Sequence, residues 1–219
     1  YKKGQYIVQA GQPVTENQIQ ILKELGILKN QHIDLPLVIG IAMIVFIILF
    51  IMALYFVIFQ KDIVDQPRLL LMISIIICLA MVLSLSISHL NIYMIPYAMA
   101  GMLLAILLNP YAAFAVNIGL AFLLGIMLEG HLGVMVNAFL SGALGIIMTA
   151  RSRQRNSIIL AGLGVGVLNF FIACGMEFIS IGNWSSALTN GIWGIGGGLL
   201  AAVLTIGTLP IWENIFKIV

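Results

Sequence analysis

The chain has 219 residues, 62% hydrophobic and only 8% charged, with ten Lys and Arg against eight Asp and Glu. A soluble domain carries about a quarter charged residues, so this composition excludes one, and a net charge of +2 is too small to mark a nucleic-acid partner. Cys78 and Cys174 fall inside apolar runs and are expected to be free buried thiols, while His32, His89 and His131 are scattered without metal-ligand spacing.

Residues 1–34 hold four of the ten basic residues. Gln5 to Gln9 predicts a short strand, and Gly11-Gln12-Pro13 a turn. Thr15-Glu16-Asn17-Gln18 fits a capping box, with Thr15 as N-cap and Gln18 reaching back. A short helix is then expected to about Leu25, capped by Gly26. This strand–turn–helix segment reads as the end of an extracellular domain and its linker. The chain starts at Tyr1 and closes on the apolar Ile215-Phe216-Lys217-Ile218-Val219, so it is expected to be the middle of a longer protein.

From residue 35 to 219 the sequence predicts one domain of seven apolar helices. The spans are 36–59, 69–88, 91–109, 111–128, 132–150, 158–180 and 189–211, each near the roughly 20 residues that cross a bilayer core. Short loops make neighbouring helices antiparallel. Lys61, Arg68, Arg151, Arg153, Arg155 and Lys217 all fall on one side, and the three loops on the other side carry no Lys or Arg. That asymmetry predicts the N-terminus outside and the C-terminus inside. The fold class expected is an all-α, seven-helix transmembrane bundle.

The first of these helices is apolar all round and is expected to face lipid on most sides. The later ones carry stripes at a spacing of three or four, which places each set on one helix face. Ala113, Asn117, Ala121, Gly125 and Glu129 form one, and Asn137, Ser141, Gly145 and Thr149 a second. Gly162, Gly166, Asn169, Ala173 and Glu177 form a third, and Asn190, Gly194, Gly198, Ala201, Thr205 and Thr208 nearly a fourth. Such residues either pack helices closely and bond across them or line a cavity for a small ligand. In the second case Asn117, Asn137, Asn169 and Glu177 are the candidate lining. Glu177 is an ionisable group within a membrane helix, although near the helix end it is also placed to reach headgroups or water.

Glu129 and His131 flank an outer turn and read either as solvated turn residues or as an acidity-sensing pair. Gly194-Ile195-Gly196-Gly197-Gly198 lacks the Lys-Ser/Thr of a phosphate loop and implies close helix approach. Arg151, Arg153 and Arg155 form an inner basic loop that sets topology and attracts anionic lipid, or docks an intracellular domain. Pro96 and Pro110 read as helix boundaries.

The stretch Gly4-Gln5-Tyr6-Ile7-Val8-Gln9-Ala10-Gly11-Gln12-Pro13-Val14-Thr15, then Leu25 to Leu28, then seven helices, resembles the bacterial seven-transmembrane receptors with an intracellular HD hydrolase. The terminal Gly207-Thr208-Leu209-Pro210-Ile211-Trp212-Glu213-Asn214-Ile215-Phe216 is similar to that family's passage from the last helix toward the HD domain. The inner Arg-rich loop also fits. The resemblance implies an extracellular sensing domain, a membrane bundle and a cytoplasmic metal-dependent phosphodiesterase acting on cyclic di-AMP. No His-Asp dipeptide occurs in the sequence. The chain itself is therefore expected to hold no catalytic residue, metal or other cofactor, with divalent metals belonging to the missing HD domain.

The expected function is a sensor and transmission module in a bacterial plasma membrane, with the lipid bilayer and the protein's own outer and HD domains as partners. A small-molecule ligand and a second copy of the chain are candidate partners; nucleic acid is not. Gly197, Gly198, Pro210 and Glu213 are the candidate signal exit, with a rigid helix expected to begin around Pro210. The rival reading is a small-solute permease or the substrate-binding subunit of a transporter, because Gly-rich helices with buried Asn and Glu serve either purpose.

Overall fold

The computed structural model describes residues 8, 14–24, 35–150, 155–180 and 182–217. Two compact units divide the chain, residues 1–44 and 45–219.

In the first unit, α1 (Glu16–Glu24) begins where the capping box predicts. The Gln18 Oε1 atom accepts from the Thr15 backbone N–H at 2.9 Å and from its hydroxyl at 3.0 Å. The predicted strand, apart from Val8, and the Gly26 cap lie outside the described residues. α2 (Leu35–Phe59) starts in this unit and ends in the second. It is apolar around its whole circumference, and Phe56 is its one buried residue.

In the second unit the expected loop after α2 contains a single helical turn, α3 (Lys61–Val64). α4 (Pro67–Ser88) then starts with Pro67 in its first turn, where the missing N–H costs nothing. α6 (Pro110–Met127) starts in the same way, with the Asn109 side chain accepting from the Ala112 N–H at 2.8 Å. α7 (Leu132–Thr149) and α8 (Arg155–Ser180) follow. Among the described residues, six helices are long and apolar enough to cross a membrane: α2, α4, α6, α7, α8 and α9 (Trp184–Phe216). The described residues form an all-helical membrane protein.

The third apolar run departs from the expected 91–109 helix. It divides into a 3₁₀ turn, Ile92–Met94, and a short helix α5 (Ala98–Leu107). Pro96 lies in the break between them and has no N–H to continue a helix. Ten residues reach only about 15 Å. Every residue of α5 is buried, between α6, α7 and α9, although among the described residues it is too short to be one of the helices that can cross a membrane. Irregular backbone at membrane depth requires such burial in protein.

The last run also differs from expectation. α9 is continuous from Trp184 to Phe216, with Pro210 inside it, so no separate helix begins at Pro210. Pro210 is exposed. Just before it, Thr205 and Thr208 return their hydroxyls to the carbonyls of Ala201 and Leu204, each at 2.7 Å, a pattern that eases helix bending. At 33 residues α9 is about 50 Å long, well beyond the roughly 30 Å hydrocarbon core. The thiols correct one further expectation. Both are free, but Cys78 is exposed and Cys174 only half-buried, because Cys78 faces outward from α4 among its apolar neighbours.

Candidate functional site

α8 and α9 make the most extensive pairing in the molecule, and glycine makes it possible. A Cβ on Gly198 would collide with the backbone N and Cα of Gly166. One on Gly194 would meet the Asn169 backbone at 2.9 Å. One on Gly197 would meet the carbonyl oxygens of Tyr93 at 2.8 Å and Ile95 at 3.1 Å. The glycine cluster therefore brings α9 against α8 on one side and against the broken third segment on another. Gly196, between them, faces open space.

Where these three elements meet, at the end of the bundle carrying the α8–α9 turn, polar side chains converge. Asn91 precedes the 3₁₀ turn, and its side-chain oxygen accepts from the Tyr93 N–H at 2.8 Å. Across the proline break, the Tyr97 hydroxyl donates to the Ile92 carbonyl at 2.8 Å, replacing a helix bond. The Tyr93 hydroxyl donates to Glu177 Oε1 at 3.4 Å, and Asn190 Nδ2 donates to the same atom at 2.8 Å. Asn91 Nδ2 in turn donates to Asn190 Oδ1 at 3.1 Å. Glu177 is 8% exposed, so it does not simply extend to water. Its Oε2 is buried and has no hydrogen-bond partner among the described residues. A carboxyl group removed from water among neutral donors is costly, and inside a membrane domain such a group marks function by default.

A second polar group lies between α7 and α8. Ser141 Oγ is 2.8 Å from Asn137 Oδ1 and 2.5 Å from Asn169 Oδ1. A hydroxyl has one hydrogen to donate, so Ser141 serves one amide oxygen at a time. Asn137 and Asn169 are each 1% exposed, and the Nδ2 of each is buried with no partner among the described residues. An unsatisfied buried donor costs about 1–3 kcal/mol, which two free amides at one place would recover by binding an acceptor.

The four candidates for a ligand site thus divide. Asn137 and Asn169 meet through Ser141. Glu177 lies two helical turns along α8 from Asn169 and bonds to the third segment and α9 instead. Asn117 donates to the Phe139 carbonyl at 3.0 Å and packs directly on Gly142, which locks α6 to α7. Of the exit candidates, Gly197 and Gly198 are buried in the seam, while Pro210 and Glu213 are exposed. Trp212 is buried beside them, stacked on Phe216 at 6.0 Å. Arg151 and Arg153 lie outside the described residues, and Arg155 begins α8. Tyr93, Asn91 and Ser141 complete the polar groups. Ser141 and Asn190 were visible in the stripes, and Pro96 was the local sign that Tyr93 stands at a break.

The model of the family described as "7TM receptor with intracellular HD hydrolase" matches residues 35–219. The chain belongs to this family. Two curated relatives align along nearly all of it. The cyclic-di-AMP phosphodiesterase PgpH of Listeria monocytogenes serotype 1/2a (strain 10403S) is 29% identical over 232 aligned residues, covering 98% of this chain and 31% of the relative. The protein of the same name from Bacillus subtilis (strain 168) is 24% identical over 234, covering 99% of this chain and 32% of the relative. The chain therefore spans about a third of each relative's length. No solved structure matches. In this chain α9 runs from the Glu177 centre, through its seam with α8, to Phe216.

Proposed function

We propose that this chain carries a signal across a bacterial plasma membrane to an HD domain that hydrolyses cyclic di-AMP. In this reading the N-terminus is outside, the third apolar segment with its break counts as the seventh pass, and the Glu177 centre lies at the outer side. Charge supports the orientation, since Lys61, Arg68 and Lys217 gather at the end opposite the α8–α9 turn. Divalent metal belongs to the HD domain, and this chain contributes no catalytic group. A polar ligand would engage the free amides of Asn137 and Asn169 or the Glu177 carboxyl group.

The observation that carries the proposal is α9 itself. One continuous helix touches the polar centre through Asn190 and the broken segment through Gly197, and then runs on to Phe216. A small displacement where it meets the Tyr93–Ile95 backbone is carried along this continuous helix to its other end.

The test is Gly197→Ala beside Gly196→Ala in the intact protein, with cyclic di-AMP hydrolysis measured in membranes. The first places a methyl group against two carbonyl oxygens; the second places one in open space. Gly197→Ala should change the hydrolysis rate by about five-fold or more, the scale of an ordinary coupling free energy, and Gly196→Ala should leave it unchanged. Equal rates for both variants and the parent would refute transmission through α9.

A further inference from the structure

At the end of the bundle opposite the α8–α9 turn lies a cavity of about 480 Å³. Its walls include Asp62 from α3, Gln66 and Arg68 at the start of α4, Asn109 before α6, and Phe216 and Lys217 at the end of α9. Two of these side chains are cationic and one is a carboxylate. Among the described residues, neither Arg68 nor Lys217 takes part in an ion pair or a side-chain hydrogen bond, so neither is paired with Asp62. Asn109 is already committed: its oxygen accepts from the Ala112 N–H, and its Nδ2 donates to Gln60 Oε1 at 2.9 Å. It is a fixed wall. Among the described residues, the lining side chains with uncommitted donors are the Gln66 amide, the planar Arg68 guanidinium fork and the Lys217 ammonium group, of which the last two carry charge.

That pairing suits one kind of ligand. Arginine presents its N–H groups in a fork that matches phosphate oxygens, and lysine adds a compact point charge. Leu69 and Leu107 supply apolar wall beside them, and the volume falls in the range of small-ligand sites. Lys217 caps the end of α9 in a left-handed conformation, φ 50°, a common way for a helix to stop. The two cations stand on elements, α4 and α9, that touch each other only sparingly. An anion between them would join the two.

We propose that this cavity binds one anionic phosphate group between Arg68 and Lys217, supplied either by the headgroup of an anionic phospholipid or by a soluble phosphate. The site is independent of whether α9 transmits a signal.

The full chain in phosphatidylcholine nanodiscs, which leave both membrane faces open, provides the test. In one arm phosphatidylglycerol replaces part of the lipid; in the other, inorganic phosphate is titrated at constant ionic strength. Thermal stability reports the apparent affinity. A saturable rise with phosphatidylglycerol alone supports the site with a lipid headgroup as its occupant. A saturable rise with inorganic phosphate supports it with a soluble occupant. In the responding arm Arg68→Gln and Lys217→Gln should each weaken the apparent affinity about five-fold. Asp62→Asn should strengthen it, because it removes the opposing carboxylate. No saturable response in either arm overturns the proposal, as does a response that Arg68→Gln and Lys217→Gln leave intact. If either of those variants fails to fold, a parent response that Asp62→Asn does not strengthen overturns it equally.

Discussion

α2 and α9 are both long, apolar helices, and they use the membrane in opposite ways. Over its 25 residues α2 buries only Phe56. α9 buries a stripe that includes Gly191, Gly194, Gly197, Gly198, Ala201 and Thr205. In water a hydrophobic face would identify the buried side of a helix. In lipid it does not, because hydrocarbon is as apolar as leucine, and close backbone packing and polar contacts take over as the forces that join helices. The smallest side chains therefore mark the interface, and the largest apolar ones face outward. Ile192, Leu199 and Val203 of α9 are exposed, as are Phe46, Phe50 and Phe59 of α2.

A bulky side chain placed in each helix should break this symmetry most visibly. Gly198→Leu drives a side chain into the Gly166 backbone, which cannot rotate away as a side chain can. We expect destabilisation beyond about 4 kcal/mol, at the extreme of overpacking, and loss of the folded bundle in detergent. Gly40→Leu in α2 meets no described atom within 4 Å and should be neutral or slightly stabilising. Thermal unfolding of the two variants side by side decides it. Comparable losses would mean that α2 is not the lipid-facing helix described here.

The next effect sharpens the polar half of the contrast. Glu177→Leu keeps bulk but leaves the Tyr93 hydroxyl and the Asn190 amide facing a side chain that accepts nothing. Two orphaned donors at partly or fully buried positions should cost about 2–3 kcal/mol. Glu177→Gln retains an acceptor oxygen and should cost less than about 1 kcal/mol. Reversible unfolding in mixed micelles measures both. A Gln variant as damaged as the Leu variant would show that the charge, rather than the hydrogen bonds, holds the 3₁₀ segment to α8 and α9.

How much of this was readable in advance follows from what one-dimensional spacing records. It records which residues share a helix face, so Asn137, Ser141, Asn169, Gly194 and Gly198 were all placed correctly on buried stripes. It does not record which stripes meet, so the separation of Asn117 and Glu177 from the Asn137–Asn169 pair was not accessible. Hydropathy was silent about the third run, because the 3₁₀ turn, the break and α5 are all apolar, and only Pro96 distinguished them. Pro210 misled in the other direction. A proline usually ends a helix, but at an exposed position on a helix held by its opposite face the lost hydrogen bond, about 3 kcal/mol at most sites, is outweighed by packing around Thr205 and Trp212. The start of α9 was placed late because Trp184-Ser185-Ser186 is not a hydrophobic run, whereas Asn183 caps the helix by accepting from the Ser185 N–H at 3.0 Å.

The smallest expected effect concerns the turn between α6 and α7, where packing hardly enters and backbone geometry decides alone. Gly130 donates its N–H to the Gly125 carbonyl at 2.8 Å across the end of α6, closing a Schellman motif whose left-handed position is Glu129, φ 63°. That position favours glycine because a Cβ crowds the following carbonyl oxygen. Glu129 is exposed, so removing its side chain forfeits no buried contact. Glu129→Gly should stabilise the bundle by about 1 kcal/mol. The gain is reduced by the extra freedom glycine brings to the unfolded chain, so the measured value should lie at or below that figure. Glu129→Ala separates the two contributions: it removes the carboxylate but keeps the Cβ, and it should leave stability unchanged. A destabilised Glu129→Gly would mean that this carboxylate has a role on the surface that outweighs its strained backbone.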